Sequence, residues 1–349
     1  MKNILVTGGA GFIGSNFVHY ILDKYPSYNL FVYDKLTYAG NLDNLRDVQD
    51  NPRYVFVQGD ITDRETVNKV VISHQIDTIV NFAAESHVDR SILSPDAFIQ
   101  TDIMGTHVLL DIARNHKLER LHQISTDEVY GSIIEGRFKE GDVFEPNSPY
   151  AASKAASDHL VRAYHHTYQL PTVTIHAANN YGPYQFPEKL IPLMILNILE
   201  SKPLPVYGDG QNIREWIHVQ DTCSAIEAIL QNGTIGEIYN VGGDHQCSNI
   251  DLVNLLCDLV DSRLNRNQQN SSRHLITFVT DRQGHDRRYA LDSTKIQTEL
   301  GWQLAEPFET GIQKTVDWYL EHRAWWEKVR SGEYHEYYAV QYENRLKQP

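Results

Sequence analysis

The run Thr7-Gly8-Gly9-Ala10-Gly11-Phe12-Ile13-Gly14 follows a short apolar stretch, Asn3–Thr7, and opens a helical pattern. Glycines in this position permit a tight turn from strand to helix, let the backbone approach a pyrophosphate, and let the helix pack closely on the strand. The helix N-terminus then favours the phosphate charge. A glycine-rich turn alone is weak evidence, but Asp34 ends the second apolar stretch, 20 residues after Gly14. A carboxylate there accepts hydrogen bonds from an adenosine ribose and repels a 2′-phosphate, which selects NAD over NADP. Asp60 after the third stretch and Ala83-Ala84 after the fourth fall at carboxyl ends of strands, where an open parallel sheet holds its ligand.

The rest of the first half repeats this rhythm. Short apolar runs at Leu30–Tyr33, Tyr54–Gln58, Thr78–Phe82, Leu121–Ser125 and Thr172–His176 alternate with helical stretches. That pattern predicts an α/β fold, a Rossmann-type doubly wound parallel sheet with crossover helices. After Tyr181-Gly182-Pro183 the chain is broken repeatedly by Pro187, Pro192, Pro203 and Pro205, which marks a second, smaller region. Glu237–Val241 reads as one more buried strand ending at Gly242-Gly243, so the domains interleave. The expected division is a dinucleotide-binding domain over 1–182, to which the chain returns at about 216–243, and a substrate-binding domain over 183–215 and 244–322. An aromatic-rich tail follows over 323–349, with Trp318 to Tyr338 expected to be helical and Asn265–Arg273 a polar loop.

Composition removes several classes of function. A formal net charge of −14 and the lack of any lysine/arginine block disfavour nucleic acid as a partner. The three cysteines, Cys223, Cys247 and Cys257, include no C-x-x-C pair, so neither a disulfide framework nor a metal site is suggested, and a reducing cytoplasm is expected. Nowhere do about 18 apolar residues run together, so no membrane span is expected. The short apolar run at the start is interrupted by glycines before it could serve as a signal segment.

Two further segments carry chemistry. Ser125-Thr126-Asp127-Glu128-Val129-Tyr130-Gly131 lies just past a strand end, and Tyr150-Ala151-Ala152-Ser153-Lys154 begins 24 residues after Thr126. Ser148 followed by Pro149 is an N-cap followed by proline at the first helical position, which starts a helix at Tyr150. Tyr150 and Lys154 then share one face, where the lysine charge favours the phenolate that takes a hydroxyl proton. Hydride transfer needs no more than that pair. An adjacent Asp and Glu become useful when one group removes a proton from carbon and another protonates a departing hydroxyl. Taken alone, Asp127 and Glu128 read equally as acids at a helix start. His165-His166, adjacent on a helix, point about 100° apart and read as solvated helix surface.

With these segments in view, the chain resembles the extended short-chain dehydrogenase/reductase family, in its NAD-dependent epimerase/dehydratase group, and within it the dTDP-glucose 4,6-dehydratases. The resemblance covers essentially the full length through TGGAGFIGSNF, AAESHVDRSI, STDEVYG, SPYAASKAASDHLV, NNYGPYQFPEKLIP, PVYGDGQNIREWIHV and DRQGHDRRYALD. It implies that NAD⁺ is retained through the cycle, that dTDP-glucose or a closely related nucleotide sugar is the substrate, and that the product is a 4-keto-6-deoxy sugar nucleotide. It assigns catalysis to Thr126, Asp127, Glu128, Tyr150 and Lys154, with Asp127 the acid and Glu128 the base of the elimination. For the cofactor it implies Gly8, Gly11, Phe12, Ile13, Gly14, Asp34, Lys35, Leu36, Thr37, Asp60, Ile61, Ala83, Ala84, Ser86, Thr101 and Asn180, besides Tyr150 and Lys154. For the substrate it implies Ser86, Thr126, Asn179, Lys189, Leu190, Arg214, Asn249, Arg282 and His285, with Pro205, Val206 and Tyr207 lining the base.

Arg214 and Arg282 suit a diphosphate because a guanidinium engages phosphate oxygens through two parallel bonds. The chain departs from the family at His176-Ala177-Ala178, where an arginine, a small residue and serine are common; Gln283 and Glu215 are milder departures. The related 4-epimerases have no need of an acid pair, and the decarboxylases commonly carry serine at the position of Asp127. A non-catalytic NAD-sensing protein would share the fold. The resemblance also implies a homodimer built on helices around Gly105–Asn115 and Tyr150–Tyr168.

Overall fold

The computed structural model describes residues 1–243 and 245–330. Its larger sheet has seven strands: β1 Asn3–Thr7, β2 Asn29–Asp34, β3 Tyr54–Gln58, β4 Thr78–Asn81, β5 Arg120–Thr126, β6 Thr172–Ala177 and, much later in the chain, β10 Ile238–Val241. The order is β10-β6-β5-β4-β1-β2-β3, and every pairing is parallel. A parallel sheet covered on both faces needs strands that are apolar on both sides. β1 and β2 meet that need with runs such as Ile4-Leu5-Val6 and Leu30-Phe31-Val32, all buried. The direction of winding reverses between β1 and β4, which opens a crevice at their carboxyl ends.

Each strand expected in the first half is present, and β10 returns to the sheet beside β6, pairing Ile238 with Thr174 and Val241 with Ala177. The helix Pro149–Tyr168 begins as the Ser-Pro pair requires: the Ser148 hydroxyl accepts from Ala151 N at 3.1 Å, and Gln169 closes the helix in the left-handed region. Ala151, Lys154, Ala155, Asp158 and Val161 are its buried stripe, at the spacing of one helical face.

The smaller lobe holds β7 Asn179–Tyr181, β9 Ile213–His218 and β11 His245–Ser248 in one sheet, and β8 Leu204–Tyr207 parallel to β12 Ile276–Val279 in another. β7, β9 and β11 are too polar to be read from periodicity, and β8 and β12, apolar but four residues long, lie among prolines and loop residues that hide them. The helix Leu190–Leu199 is apolar on every side and lies inside this lobe, against the helices Asn249–Arg263 and Phe308–Glu321. Its one internal amide, Asn197, donates to the Pro203 carbonyl at 2.8 Å. The expected aromatic helix is present as Phe308–Glu321 and Arg323–Val329, and the remainder of that expectation, like most of the expected tail, lies outside the described residues. His166 is exposed as expected, but His165 is half-buried and its ring bonds the Leu170 carbonyl at 2.9 Å.

The two sheets meet where β10 runs out into Gly242-Gly243 beneath β9. A Cβ on Gly243 would overlap the main-chain carbonyl of Trp216. Backbone cannot yield as a flexible side chain does. Gly243→Ala is therefore expected to lower stability by about 2–4 kcal/mol, measured by chemical denaturation; an unchanged midpoint would mean the crossing has slack.

Candidate active site

The crevice at the carboxyl edge of the large sheet is a cavity of about 300 Å³. Gly8, Gly11, Phe12, Ile13, Gly14, Asp34, Lys35, Thr37, Asp60, Ile61, Ala83, Ala84, Ser86, Thr101 and Asn180 all line it, joined by Thr126, Asp127, Glu128, Tyr150, Lys154, Asn179 and Lys189. Leu36 does not: it turns the chain at φ 59° and its N–H donates to Asp34 Oδ1 at 2.8 Å. Gly8, at φ 66°, lies so close to the end of β4 that a Cβ would stand 2.5 Å from Ala83 N. Gly14 is equally tight, its Cβ position 2.5 Å from Gly8 O, whereas a Cβ on Gly11 would meet only that carbonyl oxygen, at 3.2 Å. Gly11 offers the following helix no side-chain cap, so the first helical N–H groups are left for an anion. Asp34 accepts from Ala10 N at 3.0 Å, and Lys35 pairs with Asp60 at 2.7 Å across the mouth.

The residues expected to be catalytic are assembled from the end of β5, the turn after it and the helix Pro149–Tyr168. Thr126 ends β5 and caps a single 3₁₀ turn, Asp127–Tyr130, by accepting from Glu128 N, so both acids do start a helical turn. The Thr126 hydroxyl donates to Asp127 Oδ1 at 3.2 Å and also hydrogen-bonds the Tyr150 phenol. Burial, reinforced by the neighbouring Glu128 and Glu215 carboxylates, pushes Asp127 well above the usual carboxylate range, with Arg214 opposing. Its Oδ2 is buried without a partner among the described residues. Lys154 is buried and donates to the Ile124 carbonyl at 2.7 Å. The lysine-favoured phenolate is not what the protein's own groups produce: burial, with Glu128 and Asp102 nearby, raises the Tyr150 pKa well above its ordinary value.

The smaller lobe brings its polar residues to the far side of Glu128. Arg214 donates to the carbonyls of Ile213 and Asp286, at 2.8 and 3.0 Å, and its guanidinium lies 4.3 Å from the Tyr289 ring centre. Arg282 approaches Asp89 at 4.0 Å, Tyr207 donates to Asp89 at 2.9 Å, and the His285 and Tyr207 rings meet edge to face. Burial and these two arginines lower His285 to about 4. Arg282 Nε, Asn249 Oδ1, Asn179 Oδ1 and Asn180 Oδ1 are buried without partners among the described residues: the arginine nitrogen suits an anionic group, and the three amide oxygens suit a ligand's hydroxyl or amide donors. Leu190, Pro205, Val206, Tyr207, Arg214, Asn249, Arg282 and His285 do not line the cavity itself. Gln283 is exposed, and Glu215 is fully buried between Arg137 and Leu291 N.

Sequence reasoning missed several residues here. Tyr289 hydrogen-bonds Glu128 at 3.4 Å and Asp286 at 2.7 Å. Asp102 accepts from Ser153 Oγ at 2.6 Å and Glu85 N at 2.9 Å, and burial pushes it up to about 7. Tyr289 lies inside one of the recognised motifs, so position could have flagged it. Asp102 lies on a π-helical segment, Ile99–Gly105, that periodicity does not reveal.

Comparison with known proteins fits this geometry. The profile of the GDP-mannose 4,6 dehydratase family matches residues 5–315. A dTDP-glucose 4,6-dehydratase of Neisseria meningitidis is 51% identical over 347 residues, covering 96% of this chain and 98% of its own. The chain belongs to the dTDP-glucose 4,6-dehydratase family. A solved dehydratase of this family, DesIV from Streptomyces venezuelae with NAD and dTDP bound, is 47% identical, covers 94% of this chain and all of its own, and superposes with a TM-score of 0.89. The UDP-glucuronic acid 4-epimerase of Bacillus cereus, in complex with UDP-glucuronic acid and NAD, shares the fold at a TM-score of 0.82, with 27% identity over 92% of this chain and 99% of its own. The dehydratase family therefore fits the acid pair, and the epimerase fits the scaffold.

A proton on folded Asp127 has a consequence for stability. The folded chain binds that proton over a range in which the unfolded chain, at about pH 4 and above, has released it. The stability this group contributes is therefore lost as pH rises through its folded pKa. Asp127→Asn, neutral at every pH, is expected to be more stable than the parent at about pH 8, by about 1–2 kcal/mol in chemical denaturation. The gain should shrink toward pH 4. A less stable variant at the higher pH would contradict the protonated carboxyl.

Proposed function

We propose that this chain is an NAD-dependent hydro-lyase that converts dTDP-glucose to dTDP-4-keto-6-deoxyglucose and water, a starting material for deoxysugar biosynthesis. One observation carries the reading: a buried carboxyl, Asp127, whose pKa burial and its neighbours push well above the carboxylate range, lies beside a second carboxyl and within one hydroxyl of Tyr150. An epimerase has no task for it. The partnerless amide oxygens of Asn179 and Asn180 and the uncapped helix after Gly11 suit NAD, for which Asp34 would hold the ribose and the glycine turn the pyrophosphate. Bound there, NAD would supply the hydride acceptor for oxidation at C4 and the hydride donor for reduction at C6, and its positive charge would favour the Tyr150 phenolate.

The protein's own groups then move protons. Tyr150 takes the proton of the C4 hydroxyl, with Lys154 stabilising the phenolate and Thr126 bonded to the same oxygen. The new C4 ketone acidifies C5. Glu128 removes the C5 proton, and Asp127 gives its proton to the C6 hydroxyl, which leaves as water. Glu128 finally returns its proton to C5. Each turnover leaves Tyr150 one proton richer and Asp127 one poorer, and the Thr126 hydroxyl lies hydrogen-bonded between them, a path for resetting both. Arg214 and Arg282 would meet the diphosphate, with Lys189 near the sugar and Pro205–Tyr207 near the base.

A homodimer is proposed on the helices Thr106–Asn115 and Pro149–Tyr168. It is supported by the large apolar side chains of Leu93, Ile99, Met104 and Tyr168, which stand exposed on and beside them. Light scattering after size-exclusion chromatography should give two chains; a monomer would overturn it. The three cysteines are unpaired, in keeping with a cytoplasmic location, and no helix among the described residues is long and apolar enough to cross a membrane.

Incubation with dTDP-glucose, UDP-glucose and UDP-glucuronate, each followed by mass spectrometry, tests the reading. Loss of one water from dTDP-glucose is expected. No mass change, or loss of carbon dioxide from UDP-glucuronate, would overturn it. Asp127→Asn should spare C4 oxidation, accumulate reduced cofactor and lower kcat about 10²–10³-fold; unchanged turnover would remove Asp127 from the role of acid.

A further inference from the structure

Behind the catalytic turn lies a chain of buried side chains that the mechanism does not use. His176, at the end of β6, is fully buried. Its Nε2 lies 3.0 Å from Asp158 Oδ2, and its Nδ1 lies 2.8 Å from the Tyr130 hydroxyl. Asp158 Oδ2 also accepts from Ser125 Oγ at 2.7 Å. Ser125 and Tyr130 bracket Thr126, Asp127 and Glu128 in sequence, so both ends of the segment that carries the acids are tied to one imidazole–carboxylate pair. Asp158 lies on the helix of Tyr150 and Lys154, and these three positions are successive i, i+4 steps along one face.

The hydrogens are determined by what surrounds the pair. Tyr130 donates to Asn240 Oδ1 at 3.0 Å, and the Asn240 amide nitrogen donates to the Phe138 carbonyl at 3.0 Å. Nδ1 of His176 is therefore the donor toward Tyr130. Asp158 Oδ2 accepts from Ser125 and meets Nε2 of His176 at 3.0 Å on its other side. The arrangement is a poor device for stability, since a buried pair gains little over apolar packing and Asp158 Oδ1 has no partner among the described residues.

We propose that His176, with Asp158, is a positioning residue that holds the Asp127–Glu128 turn in register with the Tyr150 helix. The proposal rests on the dehydratase reading. Its loss affects elimination before oxidation: the tyrosine remains on its helix while the acids lose their reference point.

The test uses the full-length enzyme with dTDP-glucose, following product by mass spectrometry and reduced cofactor by its near-ultraviolet absorbance. Tyr130→Phe and Ser125→Ala each remove one hydroxyl with little change in packing. Each should lower kcat about tenfold, leave KM within about twofold, and make reduced cofactor visible during turnover. His176→Leu should do so more strongly, while His176→Asn, which keeps a donor near Nδ1, and His176→Gln, which keeps one near Nε2, should each restore part of the rate. If His176→Leu does not fold, the two hydroxyl variants decide. Wild-type kcat in Tyr130→Phe and Ser125→Ala, or a fall in kcat and rise in KM together without reduced cofactor, would overturn the proposal. Failure of the parent enzyme itself to lose water from dTDP-glucose would overturn the functional reading instead.

Discussion

Because all seven strands of the large sheet run in the same direction, all their carboxyl ends open on one edge. Convergence of the site follows from that constraint. Gly8 follows β1, Asp34 ends β2, Asp60 lies past β3, Ala83 past β4, Thr126 ends β5 and Ala177 ends β6, each delivered by a separate segment to the same cavity. The constraint also requires every crossover to cover a face of the sheet. The helix of Tyr150 is one such cover, and its buried stripe places Lys154 and Asp158 against the end of β5 through the Ile124 carbonyl and the Ser125 hydroxyl.

Charge within the cavity is sorted by depth. Near the mouth, Lys35 and Thr62 hold Asp60 below its ordinary pKa despite partial burial. At the bottom, burial and crowding of carboxylates drive Asp127 and Tyr150 toward their neutral forms. Arg214, which opposes this at Asp127, comes from β9 of the other lobe, and so does Glu215, which adds to it.

The glycine turn, Asp34 and the parallel rhythm were legible because each rests on local chemistry: a positive φ at Gly8, a strand end, a period. The same holds for the Ser148-Pro149 helix start. The small sheets were not legible, since β7, β8, β9, β11 and β12 are only three to six residues long and owe their pairing to distant partners. The acid pair was ambiguous for a related reason. Asp127 and Glu128 do start a helical turn, and only burial, which sequence does not display, separates an acid kept protonated from an ordinary cap. His176 stood out in the sequence only as a departure from the family; the role proposed for it depends on Tyr130, Asp158 and Asn240, which are 18 to 64 residues away in the chain.

The late return of β10 has a consequence for how the molecule comes into being. β10 completes the sheet against β6, yet 60 residues, including β7, β8 and β9, are made between them. On a ribosome, β6 would stand as an open edge while the first segment of the smaller lobe is emerging, with Thr174 and Ile175 lacking their final neighbours. The large sheet therefore cannot close until that first segment of the smaller lobe has been made, and the two lobes begin to fold together rather than in succession.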